Sequence, residues 1–245
     1  MREFGVIGIT LKHSFSPKYF AEKFEKEGIK DASYHPFEIH SIGDIQSLLQ
    51  KPNIKGLNVT LPYKEQVLPY LTSIDNAAAK IGAVNTIKVE NGEATGYNTD
   101  YYGFKISLEN WIGTAKLSEI KALVLGSGGA SKAVVAALTD LQIPYLYVSS
   151  SNKEGAISYN DITKEVLNEY QLVINTTPLG MFPNVDEAPA IPYQYLTESH
   201  YLYDLIYNPE VTKFLKNGEE AGAQTINGYE MLVIQAEKSW EIWNA

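Results

Sequence analysis

Val124-Leu125-Gly126-Ser127-Gly128-Gly129-Ala130-Ser131-Lys132-Ala133 is the stretch on which the reading of this chain turns. The apolar run Lys121 to Leu125 has the length and composition of a buried strand, and the Ala/Val-rich run Ser131 to Leu141 has those of a helix. Between them lies a glycine turn of spacing GxGGAxxA, with Ala133 in the place of a third glycine. Glycine serves two ends in such a turn. It permits the tight bend, and it lets the backbone approach a pyrophosphate with no Cβ in the way. The N–H groups of the helix start then face the anion. Gly126, Ser127, Gly128, Gly129 and Ala130 are therefore the candidate cradle of a dinucleotide. Without a strand before it and a helix after it, the same stretch would be a plain turn.

The alternation continues outward from this turn. Tyr145 to Ser149, Leu172 to Asn175 and Tyr201 to Tyr207 read as strands with helical stretches between them, the pattern of a Rossmann-type doubly wound parallel sheet. An NAD site places an acid about 20 residues beyond the glycines, on the ribose 2′-hydroxyl. Here the second strand ends in Ser149-Ser150-Ser151-Asn152-Lys153, and no acid precedes Glu154. Hydroxyls and a lysine suit a 2′-phosphate better than a ribose diol. The expected cofactor is NADP, with NAD still possible.

The chain before the turn is a second α/β region. Phe4 to Ile9 and Tyr34 to Ile39 read as strands around a helix with Ser16 as a potential cap, Pro17 in its first turn and Gly28 at its end. Ile42 to Leu49 and Asp75 to Ile81 read as helices. Gly56 to Thr60 reads as a strand, followed by a segment opened by Pro62 and holding Lys64. Val84 to Val89 and Glu93 to Tyr97 form a hairpin about Asn91-Gly92. Residues 1–100 are expected to form an α/β substrate domain. Residues 101–228, entered by a helix from Tyr101 to Trp111, are expected to form the dinucleotide domain. A final helix, 229–245, is expected to return to the first.

Polar side chains gather at strand ends of the first region: Ser14 and Ser16; Asn58, Thr60 and Lys64; and Asn85-Thr86 with Asn98-Thr99-Asp100. Amides, hydroxyls and a carboxylate supply both donors and acceptors, as a small polyhydroxylated acid requires. Singly, Ser16 and Asp100 read equally well as helix caps, Asn58 and Thr60 as strand-end groups, and Lys64 as a solvated lysine. Their concurrence beside a dinucleotide turn favours a site.

Composition bounds the rest. The 245 residues include no cysteine, which excludes disulfides, cysteine-ligated zinc and thiol nucleophiles and fits a reducing compartment. The formal net charge of −9 disfavours a nucleic-acid partner. No apolar run nears the roughly 20 residues that span a bilayer, and no leader is visible, so the expectation is a cytoplasmic protein, a monomer or homodimer, with a small-molecule substrate and no metal.

Taken together, SFSP at Ser14–Pro17, NVTLPYKE at Asn58–Glu65, GAVNT at Gly82–Thr86, NTD at Asn98–Asp100 and GSGGASKA at Gly126–Ala133 resemble the shikimate dehydrogenase family. So do INTTPLGM at Ile174–Met181, YDLIYNPEVTKFL at Tyr203–Leu215 and NGYEMLVIQA at Asn227–Ala236. The resemblance implies reversible reduction of 3-dehydroshikimate to shikimate in aromatic amino-acid biosynthesis. It implies that Ser14, Ser16 and Tyr207 bind the substrate carboxylate, that Asn58, Thr60, Asn85, Asp100 and Gln235 hold ring hydroxyls, and that Lys64 exchanges the proton with Asp100 as its partner. It further implies that Thr176 and Thr177 lie under the dinucleotide and that Ile206 and Gly228 flank the nicotinamide. Elementary chemistry agrees about Lys64: a carbonyl receiving hydride gains negative charge, which a cation stabilises before supplying the proton.

One departure bears on the cofactor. Many NADP-dependent members carry Asn-Arg-Thr where this chain has Ser149-Ser150-Ser151. Lys153 replaces only part of the bidentate arginine clamp. Two alternatives stand beside the main reading: a quinate/shikimate dehydrogenase using NAD, and a non-catalytic shikimate-binding protein on the same scaffold. A folate-linked methylene dehydrogenase has a similar layout, but SFSP and NTD fit it poorly.

Overall fold

The structure, a computed structural model, describes residues 1–12, 14–151 and 154–245. The place expected for Lys153 at the cofactor lies outside the described residues. The chain divides into two compact units, Met1–Thr99 with Gln235–Ala245, and Asp100–Ile234.

The first unit is built on a mixed sheet of six strands: β1 (Arg2–Gly8), β2 (Ala32–Glu38), β3 (Ile54–Val59), β4 (Ser73–Ile74), β5 (Thr86–Glu90) and β6 (Glu93–Tyr97). Their order is β2-β1-β3-β5-β6-β4. β1 lies parallel to both its neighbours, which explains an apolar run with no polar alternation. β5 and β6 form the expected hairpin. Asn91 and Gly92 take φ of 54° and 83°, the left-handed pair that a two-residue turn of matching twist requires.

Helix α1 (Phe15–Glu27) ends at Gly28, whose φ of 68° lets its N–H return to Glu25 and Phe24 carbonyls. The helix buries Phe20 and Phe24 against Phe4 and Trp243, each burial stabilising by roughly 1.5–3 kcal/mol. Ile42–Leu49 is a 3-10 turn, Ile42–Asp44, followed by α2 (Ile45–Leu49). α3 (Tyr63–Gln66) is a single turn and α4 (Asn76–Ile81) a short helix capped by Asp75.

Helices α5 (Thr99–Ile112) and α6 (Thr114–Leu117) precede the second sheet, which comprises β7 (Ala122–Leu125), β8 (Tyr145–Val148), β9 (Ala156–Ile157), β10 (Leu172–Asn175), β11 (Tyr201–Asp204) and β12 (Gln224–Ile226). All are parallel, in the order β12-β11-β10-β7-β8-β9. Counted within this unit the order is 3-2-1-4-5-6, the dinucleotide-binding arrangement, and it reverses between β7 and β10. α7 (Gly129–Asp140), α8 (Lys164–Glu169) and α9 (Lys213–Glu220) are the intervening helices.

The last helix, α10 (Tyr229–Asn244), contributes its residues from Gln235 to the first unit. There Trp243 lies on β3 and donates its indole N–H to the Ile87 carbonyl at 2.9 Å. Gly56 makes room for it, since a Cβ at that position would stand 2.2 Å from the indole nitrogen.

Candidate active site

In the first unit β3, β5, the start of α5 and α10 bring a buried polar network together. Asn58 accepts the Tyr34 hydroxyl at Oδ1 (2.8 Å) and shares its two Nδ2 protons among the Asn85 carbonyl (3.3 Å), Thr86 Oγ1 (3.1 Å) and Ser239 Oγ (3.0 Å). Asn85 Oδ1 accepts the backbone N–H of Thr99 at 2.6 Å, and its Nδ2 donates to Thr99 Oγ1 at 3.0 Å. The Thr99 hydroxyl also meets Gln235 Oε1 at 3.3 Å. Asn58, Asn85 and Gln235 are all buried. Buried amides are costly unless bonded, and these are bonded to one another in a fixed geometry. Among the described residues Thr99 Oγ1 is the one acceptor of Asn85 Nδ2, so its second proton is available to a ligand hydroxyl.

Ser16 lies inside the first turn of α1 and is buried, so it does not cap the helix. Ser14 holds the cap position without a side-chain bond to the backbone. The Ser16 hydroxyl instead bonds the Tyr34 phenol, whose ionisation burial pushes up beyond reach. Asp100 likewise sits within the first turn of α5, because the helix begins at Thr99 once Asn85 has taken that residue's N–H.

Lys64 is held through its backbone. Tyr63 beside it is buried and donates its hydroxyl to the Ile39 carbonyl at 2.9 Å, while the Lys64 carbonyl accepts the Val84 N–H at 2.8 Å. Thr60 donates its N–H to the Ile7 carbonyl at 3.1 Å. The lysine thus stands on a one-turn helix pinned from two sides.

The second unit places the glycine turn at the reversal point of its sheet. Gly126 has φ of 95°, and a Cβ there would lie 2.8 Å from Thr177 Cγ2 and 3.1 Å from Thr176 Oγ1. Thr176 reciprocates, donating its hydroxyl to the Leu125 carbonyl at 2.8 Å. Helix α7 starts at Gly129, two residues before the expected Ser131, because buried Ser131 turns inward and donates to the Gly128 carbonyl at 2.7 Å. Among the described residues the helix start has no side-chain cap and no acid in its first turn, and nothing lies within 4 Å of a Cβ built at Gly128 or Gly129. A helix start without a side-chain cap, beside open space, fits a pyrophosphate.

The serine run forms a hydroxyl chain beside this turn. Ser127 Oγ is 3.3 Å from Ser149 Oγ, which is 2.9 Å from Ser151 Oγ. Ser149 to Ser151 line an open cavity of about 640 Å³ with Glu154, Ser158 and Tyr159. Among its described lining residues Glu154 alone carries a full charge.

Strand β11 ends at Asp204, three residues short of the expected Tyr207, because the Asp204 carboxylate takes the Ile206 N–H at 3.0 Å and turns the chain. Ile206 is buried, Tyr207 half-buried with its phenol pushed up by that burial, and the Ile206 carbonyl accepts the Gly228 N–H at 3.1 Å. A Cβ at Gly228 would stand 2.1 Å from the Leu205 carbonyl oxygen.

The chain is similar to known proteins. A family model described as the shikimate dehydrogenase substrate binding domain covers residues 6–87. A shikimate dehydrogenase (NADP(+)) of Clostridium beijerinckii is 41% identical, the match covering 99% of this chain and 92% of that protein. The chain belongs to the shikimate dehydrogenase family. Among solved structures, the shikimate dehydrogenase of Aquifex aeolicus is 33% identical with a TM-score of 0.88, covering 100% of this chain and 92% of that one. The shikimate 5-dehydrogenase of Thermus thermophilus, solved with NADP(H) and shikimate, is 29% identical with a TM-score of 0.83, covering 99% and 93%.

Sequence reasoning missed several residues that organise the site of this shikimate dehydrogenase family member. Tyr34 and Ser239 complete the network of the first unit; Asn175, Asp204 and Thr212 do the same in the second. One signal was available: Ser239 lies four residues after Gln235, on the same face of α10.

Proposed function

We propose that this chain is an NADP-dependent shikimate dehydrogenase, reversibly reducing 3-dehydroshikimate to shikimate. The observation that carries the reading is the buried amide–hydroxyl network of Asn58, Asn85, Thr99 and Gln235 in a chain whose second sheet reverses at an open glycine turn. A site made of amides and hydroxyls selects a polyhydroxylated ring strongly, because an analogue lacking one hydroxyl leaves a buried partner unpaired.

Each residue then has a role. Ser14, Ser16 and Tyr207 take the carboxylate; Asn58, Thr60, Asn85, Asp100 and Gln235 take the ring hydroxyls. Lys64 donates its proton to the carbonyl oxygen as negative charge develops there and recovers it in the reverse direction. Asp100 orients the lysine as its partner. The network of Asn85 and Thr99 fixes the residue before Asp100, which restricts where that carboxylate can go. NADPH, when bound, supplies the hydride. Gly126 to Ala130 would hold its pyrophosphate, Thr176 and Thr177 its underside, Ile206 and Gly228 its nicotinamide. Ser149, Ser150, Ser151 and Lys153 would meet the 2′-phosphate.

The test is nicotinamide reduction by purified protein with shikimate or quinate, each with NADP⁺ and NAD⁺. Shikimate with NADP⁺ is expected to be turned over most efficiently. Preference for quinate and NAD⁺ would replace the reading by the second dehydrogenase, and shikimate binding without turnover would replace it by a binding protein.

A further inference from the structure

Asp204 is fully buried at the carboxyl end of β11. Leu125, Asn175 and Asp204 stand in register across β7, β10 and β11, so the carboxylate lies two strands from the one that enters the glycine turn. Among the described residues each of its hydrogen-bond partners donates: Thr212 Oγ1 at 2.6 Å, Ile206 N–H at 3.0 Å and Asn175 Nδ2 at 3.0 Å. A carboxylate only accepts, so it dictates which way the Asn175 amide faces. With Nδ2 committed to Asp204, Asn175 Oδ1 turns to the loop after β10 and accepts both the N–H (3.0 Å) and the hydroxyl (2.6 Å) of Thr177. Thr177 in turn packs on Gly126 at a distance that excludes a Cβ. On its other side Asp204 fixes Ile206, whose carbonyl holds Gly228.

We infer that Asp204 is a positioning residue for the reaction: through Asn175 and Ile206 it sets the spacing of the loops that carry Thr177 and Tyr207, and so couples the seat of the nicotinamide cofactor to the grip on the substrate carboxylate. The inference rests on the dehydrogenase reading above. A buried carboxylate is an expensive way to end a strand, since an apolar residue would satisfy the sheet at less cost. Its donors come from three separate elements of the cofactor half, and one charge orients all of them. An amide of the same shape would offer its own N–H to groups that already donate, and the Asn175 orientation would rest on the Thr177 N–H alone.

Asp204→Asn tests this, with Thr212→Val as a second variant that keeps shape and removes one donor. Kinetics are measured well below the thermal transition of each protein, and NADPH affinity is measured separately by nucleotide fluorescence. The expected result is a KM for NADP⁺ and a KM for shikimate each raised about tenfold or more in Asp204→Asn, with a smaller fall in kcat. Weaker NADPH binding and the same trend in Thr212→Val would accompany it. Both KM values and the NADPH affinity within twofold of the parent, whatever the melting temperature, would overturn the positioning role. If the parent protein binds NADPH but does not turn over shikimate, the dehydrogenase reading fails instead, and a tenfold loss of NADPH affinity in Asp204→Asn would still uphold the cofactor arm of the inference.

Discussion

The Tyr34 hydroxyl donates to Asn58 Oδ1 at 2.8 Å and, on its other side, bonds the hydroxyl of Ser16. One phenol therefore joins a residue proposed to hold a ring hydroxyl to a residue proposed to hold the carboxylate. It also fixes the Asn58 amide so that both Nδ2 protons face the inner network.

Tyr34→Phe removes that oxygen and leaves the ring, which stacks on Phe20 with centroids 4.5 Å apart. Loss of the hydroxyl's two hydrogen bonds, at about 1 kcal/mol each, costs about 2 kcal/mol of stability. The expected kinetic effect is a KM for shikimate raised roughly tenfold, equivalent to about 1.4 kcal/mol, with KM for NADP⁺ unchanged. Steady-state kinetics with each substrate varied in turn will check this; equal effects on both KM values would remove the special place given to Tyr34.

Gly228→Ala has no room. The nearest atoms to the new methyl would be the carbonyl oxygen and carbon of Leu205, at 2.1 Å and 2.6 Å, and both are backbone. A side chain could rotate away, whereas a loop pinned by Asp204 cannot do so without breaking its bonds. The expected loss is about 3 kcal/mol, at the upper end of overpacking costs, with a fall in Tm of roughly 10 °C. A melting curve overlaying that of the parent would show that the loop yields.

These two sites mark the limit of what the sequence reveals. The glycine turn, the Asn91-Gly92 hairpin and the Gly28 helix end were legible because each is decided within a few residues. Tyr34 was not, because its partner Asn58 is 24 positions away, nor was Ser239, 181 positions from the same amide. Asp204 looked like the middle of a strand running to Tyr207; only Asn175, 29 positions earlier, and Thr212 show why the strand stops there. The helix starts at Phe15 and Thr99 were misplaced for the same reason. Ser16 and Thr99 satisfy distant groups, so neither they nor Asp100 behave as the local caps their types suggest.

Lys64→Ala should leave the fold intact, since the anchors of its turn are the Tyr63 side chain and the Lys64 backbone carbonyl. Loss of a positioned proton donor slows turnover by about 10²–10⁴-fold. Shikimate affinity, measured by equilibrium binding, is expected to change far less. Affinity that collapses while turnover at saturation persists would show that Lys64 binds substrate and does not exchange the proton.

Ser150→Arg addresses the cofactor loop. Ser150 is exposed on the wall of the cavity that holds the hydroxyl chain, so a long side chain can enter without displacing core atoms. A guanidinium there would offer a bidentate contact to a 2′-phosphate, and good geometry for such charged bonds contributes about 1.5–3 kcal/mol. The ratio of kcat/KM for NADP⁺ to that for NAD⁺ should rise at least tenfold. An unchanged ratio would place the 2′-phosphate elsewhere.

Asp204 also predicts how stability depends on pH. Burial pushes its carboxyl up to about 6, from an ordinary value of 3.8, although three donors pull the other way. A folded-state value above the unfolded one means that the native protein holds this proton more tightly between those two pH values. The contribution is therefore fully present below about 3.8 and is lost as pH rises through about 6. At 1.36 kcal/mol per pKa unit it amounts to something on the order of 3 kcal/mol. Asp204→Asn cannot titrate. Urea unfolding from pH 4 to pH 7 should show the parent losing stability relative to Asp204→Asn across that window, with the difference constant above it. Curves that stay parallel throughout would mean that Asp204 ionises in the fold as readily as in the unfolded chain.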